Sequence, residues 1–193
     1  MRYRSEESLD TEVRILKEKY GCEGFMLTDD MFTVSKDHVK KVCKIMKKYN
    51  MIWTAQSRVH TIDEDMLRMM KDAGCVQIDF GVESGSQRVL DEIINKRATI
   101  AQTRQAFALC KKVGIRGMAN LMLGNPTETE EEMRMTIQLA KDLKPAYIFY
   151  SVVAPLPNTK LFEQINEMLP EDDKITVEDY KKIDWTGRTY SEK

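Results

Sequence analysis

The chain has 193 residues and a net charge of −1, with 30 Lys and Arg set against 31 Asp and Glu. This balance excludes a protein held to nucleic acid by bulk positive charge, and no apolar run is long enough to span a bilayer. Hydrophobic residues make up 42%, enough to build a core in one domain of ordinary size.

Taken in order, residues 5–20 read as a helix, with Leu9, Val13, Leu16 and Tyr20 on one face and Gly21 past its end. A short strand over 25–28 runs into Asp29 and Asp30. Ser35 then caps a helix with Val39, Val42, Cys43 and Met46 on its apolar face. The next strand, 51–55, is followed by Gln56, Ser57 and Arg58. Thr61 and Glu64 form a capping-box pattern before a helix that ends at Gly74. The stretch VQIDFGVESGS, residues 76–86, alternates Val76, Ile78 and Phe80 with Gln77 and Asp79, which predicts a strand breaking at Gly81. Glu83 and Ser84 follow in a loop, and Ser86 can cap the helix QRVLDEIIN.

Thr99 and Gln102 make a further capping-box pattern, opening a helix that stops at Gly114. A strand over 115–123 leads into Gly124, Asn125, Pro126 and Thr127. Thr127 with Glu130, or Thr129 with Glu132, caps the helix ending near Pro145. The last strand, 147–153, closes on Ala154-Pro-Leu-Pro-Asn158. A final helix carries Leu161, Phe162 and Ile165, so residues 1–168 read as the core. Residues 169–193 read as a polar tail with one short helix near 177–182. Five strands alternating with helices form the βα pattern, and right-handed crossovers make its sheet parallel. Strand order should be sequential, with Phe80 and Phe149 in apolar surroundings.

In such sheets the strand C-termini carry the ligand site. They offer Asp29 and Asp30, then Arg58, then Glu83 and Ser84, then Gly124 to Glu128, then Pro155 to Thr159. This polar rim suits a zwitterionic or cationic small molecule, with Arg58 able to fork onto a carboxylate. Each group also has a plainer reading: a turn with an Asx cap for Asp29 and Asp30, a surface ion pair for Arg58, a solvated loop for Glu83. No strand holds a lysine, which disfavours a Schiff-base aldolase. His38 and His60 read as surface residues, not as ligands of a multi-histidine metal centre. No glycine-rich nucleotide loop follows a strand. Cys22, Cys43, Cys75 and Cys110 lack metal-ligand spacing and read as reduced thiols of a cytoplasmic protein.

LTDDMFT, QSRVH, FGVESGS, MLGNPTET and VVAPLPNT, each after its strand, resemble the ordered motif series of the radical S-adenosylmethionine (radical SAM) core, cobalamin-associated type, over roughly residues 2–165. The resemblance implies an α/β fold, a partial TIM-like barrel whose first strand is missing here together with the CxxxCxxC cluster loop. It implies reductive cleavage of S-adenosylmethionine to a 5′-deoxyadenosyl radical, for methyl transfer, cyclisation or rearrangement of a small-molecule substrate. An electron donor is implied, along with a 4Fe-4S cluster in the intact parent and cobalamin through an absent domain. No nucleic acid or membrane partner is implied. Without cluster cysteines the chain alone is expected to be inactive, and a non-catalytic βα ligand-binding domain stands as the alternative. By the same resemblance, Asp29 and Asp30 lie near the methionine amino group and Arg58 near its carboxylate. Glu83 and Ser84 contact the ribose or methionine portion, and Gly124, Asn125 and Pro126 let the backbone pass the adenine.

Overall fold

The computed structural model describes residues 3–29 and 32–181. The chain divides into two compact units, residues 1–151 and 152–193. The first unit opens with α1 (Glu6–Glu18), capped by Ser5, then β1 (Gly24–Leu27) and α2 (Lys36–Lys48), capped by Ser35. β2 (Ile52–Ser57), α3 (Glu64–Asp72) and β3 (Cys75–Glu83) follow. A π-helical turn (Val89–Ile93) leads to α4 (Ile100–Val113), β4 (Arg116–Leu123), α5 (Glu130–Leu143) and β5 (Tyr147–Val152). The second unit contains α6 (Lys160–Met168) and α7 (Val177–Lys181).

The strands stand in the order β1-β2-β3-β4-β5, with parallel registers. This is the expected partial βα barrel. Sequential order follows from short βα loops, which set each new strand beside the last. One face of the sheet is apolar and covered: Trp53, Ala55, Ile78, Phe80, Val82, Ala119 and Leu121 are buried there among helix residues such as Val39, Leu67, Met70 and Phe107. Facing residues on the other side, among them Thr54, Gln56, Gln77, Asp79 and Asn120, are polar and half-buried. Trp53 anchors the core. It is fully buried, donates its indole N–H to the Ala73 carbonyl at 2.8 Å, and meets Phe32 edge-on.

Several local expectations are corrected. β3 does not break at Gly81 but runs two residues further, to Glu83, because pairing with β4 continues through a register shift between Gly81 and Glu83. The cap of α3 is Asp63, whose carboxylate accepts from the Met66 N–H at 2.9 Å. Thr61 instead hydrogen-bonds Thr33 across 2.6 Å. Thr129 with Glu132, not Thr127, caps α5. His38 is buried, stacked on Tyr3 and edge-on to Phe32. Phe80 is fully buried, but Phe149 is 57% exposed because β5 is the last strand and presents both faces.

Candidate functional site

The end of β3 is built around a missing side chain. A Cβ on Gly81 would stand 2.4 Å from Glu83 Oε1 and 2.8 Å from Lys96 Nζ, so the pair lies across the glycine. Lys96 donates to Glu83 Oε1 at 2.7 Å, and both side chains are about four-fifths shielded from solvent. Glu83 holds this position with φ at +66°, a left-handed backbone uncommon outside glycine and asparagine. Strain of that kind clusters at ligand sites. The π-helical turn supplies the lysine. Ile94 N–H bonds to the Val89 carbonyl, five residues back, and Lys96 N–H to the Leu90 carbonyl at 2.7 Å. The extra residue per turn, with Asn95 at φ +53°, brings the chain back toward β3.

Glu83 and Lys96 belong to a cleft of about 360 Å³ shared with Arg58, Asp79 and the side-chain amides of Gln56 and Asn120. Two cations and two carboxylates face one space, at the strand ends and just below them. The structure thus brings Arg58 and Glu83 together, and adds Lys96, which sequence reasoning missed.

Other expected residues stand elsewhere. Asp29 follows β1 and lies 3.9 Å from His38 Nε2, lining a separate groove between β1 and the first two helices. Burial holds the His38 imidazole below its ordinary pKa, so it is neutral at pH 7. Asp30 lies outside the described residues. Pro155 belongs to the second unit. Ser84 is fully buried, with its hydroxyl 3.2 Å from that of Thr136 in α5 and accepting from the Ser86 N–H. Gly124 turns the chain at φ +80°. Asn125 is buried, and both its backbone and side-chain N–H groups donate to Glu128 Oε2. Pro126 is half-buried beside them. Glu128 therefore ties the turn, and its other oxygen, Oε1, is buried with no hydrogen-bond partner among the described residues. A buried carboxylate oxygen in that state invites a water or a ligand donor.

The two rim loops are clamped together. Arg88 Nε and Nη2 donate to the two Glu132 oxygens at 2.8 and 2.6 Å, and Nη2 also reaches the Thr127 carbonyl. Ser86 Oγ and Thr129 N–H donate to the same carboxylate. The Arg88 guanidinium, aided by the Thr129 backbone N–H and Ser86, holds Glu132 far below the usual carboxylate range. A depressed folded pKa gives stability that is present above the unfolded pKa and lost as pH falls. Melting temperature should therefore drop as pH is lowered past about 4.5. Glu132→Gln should lower it at pH 7 and flatten that acid slope; an unchanged slope would remove the clamp from the account.

The cysteines do not suit a cluster. Cys43, Cys75 and Cys110 are buried and burial pushes each thiol up to about 12, so none is a thiolate at neutral pH. Cys22 donates to the Gly24 carbonyl. Among the described residues no group of three His, Cys, Asp or Glu could hold a metal ion. Nor is any helix among them long and apolar enough to cross a membrane.

Comparison with known proteins agrees with this architecture. The family model for the radical SAM superfamily matches residues 1–140. An uncharacterized methyltransferase of Pyrococcus horikoshii is 36% identical over 161 residues, covering 82% of this chain and 35% of the relative. An anaerobic magnesium-protoporphyrin IX monomethyl ester cyclase of Rubrivivax gelatinosus is 28% identical, covering 95% of this chain and 33% of its own. The chain thus spans about a third of the relatives it matches. Among solved structures, the radical S-adenosylmethionine methyltransferase TsrM of Kitasatospora setae, with cobalamin and a 4Fe-4S cluster bound, superposes with a TM-score of 0.75 at 22% identity. That match covers 86% of this chain and 34% of TsrM. A family match over most of the chain, on a sequential parallel sheet with its polar site at the strand ends, settles the classification: the protein belongs to the radical SAM superfamily.

Proposed function

We propose that this chain is the S-adenosylmethionine-binding part of a radical enzyme acting on a small molecule by methyl transfer, cyclisation or rearrangement. The observation that carries the reading is the Glu83–Lys96 pair over Gly81, beside Arg58, at the carboxyl ends of β2 and β3. A zwitterionic cofactor finds complementary partners there. Arg58 and Lys96 suit its carboxylate, Glu83 its ribose hydroxyls or ammonium, and Asp29 with Asp30 its ammonium from the β1 side. The turn at Gly124, Asn125 and Pro126 suits the flat adenine, because Gly124 offers no side chain. Ser84 acts through position: it ties the Glu83 loop to α5 and is not a contact. Bound S-adenosylmethionine supplies the radical chemistry; the chain orients it and keeps water from it.

The cluster that the family uses finds no ligand set on these residues, so no step is assigned through it. Cobalamin and an electron donor belong to the proposal for the whole protein, as TsrM is described with cobalamin bound. A second reading, a βα ligand-binding domain without catalysis, is favoured by the buried, protonated cysteines. Anaerobic reconstitution of the intact protein with iron and sulfide separates the two.

The binding test is Glu83→Gln. The substitution keeps size and removes the charge, so S-adenosylmethionine affinity should fall by ~1.5–3 kcal/mol, roughly ten- to a hundredfold. Calorimetry that returned the wild-type affinity would reduce Glu83 to an ordinary loop residue.

A further inference from the structure

The inner face of the sheet carries a residue that the cofactor reading leaves unused. In a filled βα barrel the inward positions are layers of Val, Ile and Leu, packed against one another. Here the inward positions of β2, β3 and β4 include Thr54, Gln56, Gln77, Asp79 and Asn120, all half-buried. A polar inner wall that is neither packed core nor open surface is the lining of a ligand cavity.

Asp79 is the charged member of that wall. It pairs in register with Gln56 on one side and Met118 on the other, while Asn120 lies opposite Gly81 one inward step higher. Cross-strand neighbours stand about 5 Å apart, so the Gln56 amide flanks the carboxylate directly and the Asn120 amide diagonally. Gln77 Nε2 donates to Asp79 Oδ1 at 2.8 Å. Oδ2 has no hydrogen-bond partner among the described residues, and the residue lines the cleft. The charges sort themselves. Glu83 is neutralised by Lys96. Asp79 lies two inward steps before Glu83 on the strand, and the Glu83 carboxylate leans back over Gly81 onto Lys96. With the Glu83 carboxylate already engaged by Lys96, Asp79 Oδ2 is left as an acceptor between two amides whose carbonyls can also accept.

We propose that Asp79, flanked by Gln56 and Asn120, is the recognition site for a cationic nitrogen group, an ammonium or amidinium, on the second substrate. This deepens the functional reading above and rests on it: the rim takes the cofactor, and the wall below takes the molecule acted upon. A charge-assisted hydrogen bond to Oδ2 fixes the substrate's cationic end against the inner wall and leaves the rest of the molecule toward the rim. A neutral substrate of the same shape leaves a half-buried carboxylate without a partner, and is rejected for that reason.

The experiment uses the full chain and benzamidine as probe, with neutral benzamide as its isosteric control, followed by amide resonances in two-dimensional NMR. Benzamidine should give saturable shifts at Gln56, Asp79 and Asn120, with benzamide about tenfold weaker or worse. Asp79→Asn should weaken benzamidine by about tenfold or more. Its fold is safeguarded, since the Asn carbonyl still accepts from Gln77; Asp79→Ser gives the same readout should that variant precipitate. Scattered or absent shifts, equal affinity for benzamide, or undiminished binding to Asp79→Asn would each overturn the assignment. S-adenosylmethionine titrated separately into the wild type reads the rim at Glu83 and Lys96. Its failure would count against the cofactor reading, whereas the benzamidine series alone decides on Asp79.

Discussion

Trp53→Ala should destabilise the protein by ~3–5 kcal/mol, a large part of the total stability of an ordinary domain. Trp53 is the largest fully buried side chain, set in β2 against Phe32 and the C-terminal end of α3. Truncation removes its apolar area, leaves a cavity and deprives the Ala73 carbonyl of its donor. The cavity term dominates, because Phe32 on one side and the β2 backbone on the other cannot collapse into the space. Trp53→Phe should recover much of the packing but not the hydrogen bond. Urea midpoints order the variants as wild type, Phe, then Ala; an alanine variant within ~1 kcal/mol of wild type would show that β2 is not the anchored centre of the core.

Gly85→Ala should cost on the order of 3 kcal/mol through overlap, not loss. A Cβ there would stand 2.4 Å from the Met135 carbonyl oxygen and 2.7 Å from the Thr136 Cα, both backbone of α5. Side chains can rotate away from such a clash, but a helix backbone can only shift as a body. The same glycine donates its N–H to Thr136 Oγ1 at 2.8 Å, next to the Ser84 hydroxyl. Pushing α5 away therefore also loosens the turn that follows Glu83 at the end of β3. Both thermal stability and S-adenosylmethionine affinity should fall. A variant that melts as wild type would mean that the loop and α5 are not in contact.

Local chemistry was read well where one residue's bonding decides it. Ser35 and Thr99 cap their helices as expected, and Thr99 with Gln102 closes a capping box, because these bonds span three residues. The sheet order was equally readable, since apolar alternation and short loops leave one arrangement. Long-range partners were not. Lys96 lies 13 positions from Glu83 and meets it only because a π-helical turn adds a residue, which no period in QRVLDEIINK announces. A carboxylate two residues after a glycine, followed by a helical stretch that runs into a lysine, was the available hint. Ser84 looked like a rim group by its place after the strand, yet Thr136 in α5 engages it. His38 sits among lysines in sequence but turns onto Phe32 and Tyr3. Phe149 reads as core by composition, while its burial depends on what flanks the last strand.

The central claim is that the cleft at the ends of β2 and β3 receives S-adenosylmethionine. Titration of that molecule into the labelled protein, followed by amide NMR, tests it most directly. The account predicts saturable shifts concentrated at Arg58, Gly81, Glu83, Lys96 and Gly124, with residues of α3 and the Trp53 core unmoved. Saturable binding with shifts elsewhere, or none at Glu83 and Lys96, would contradict it.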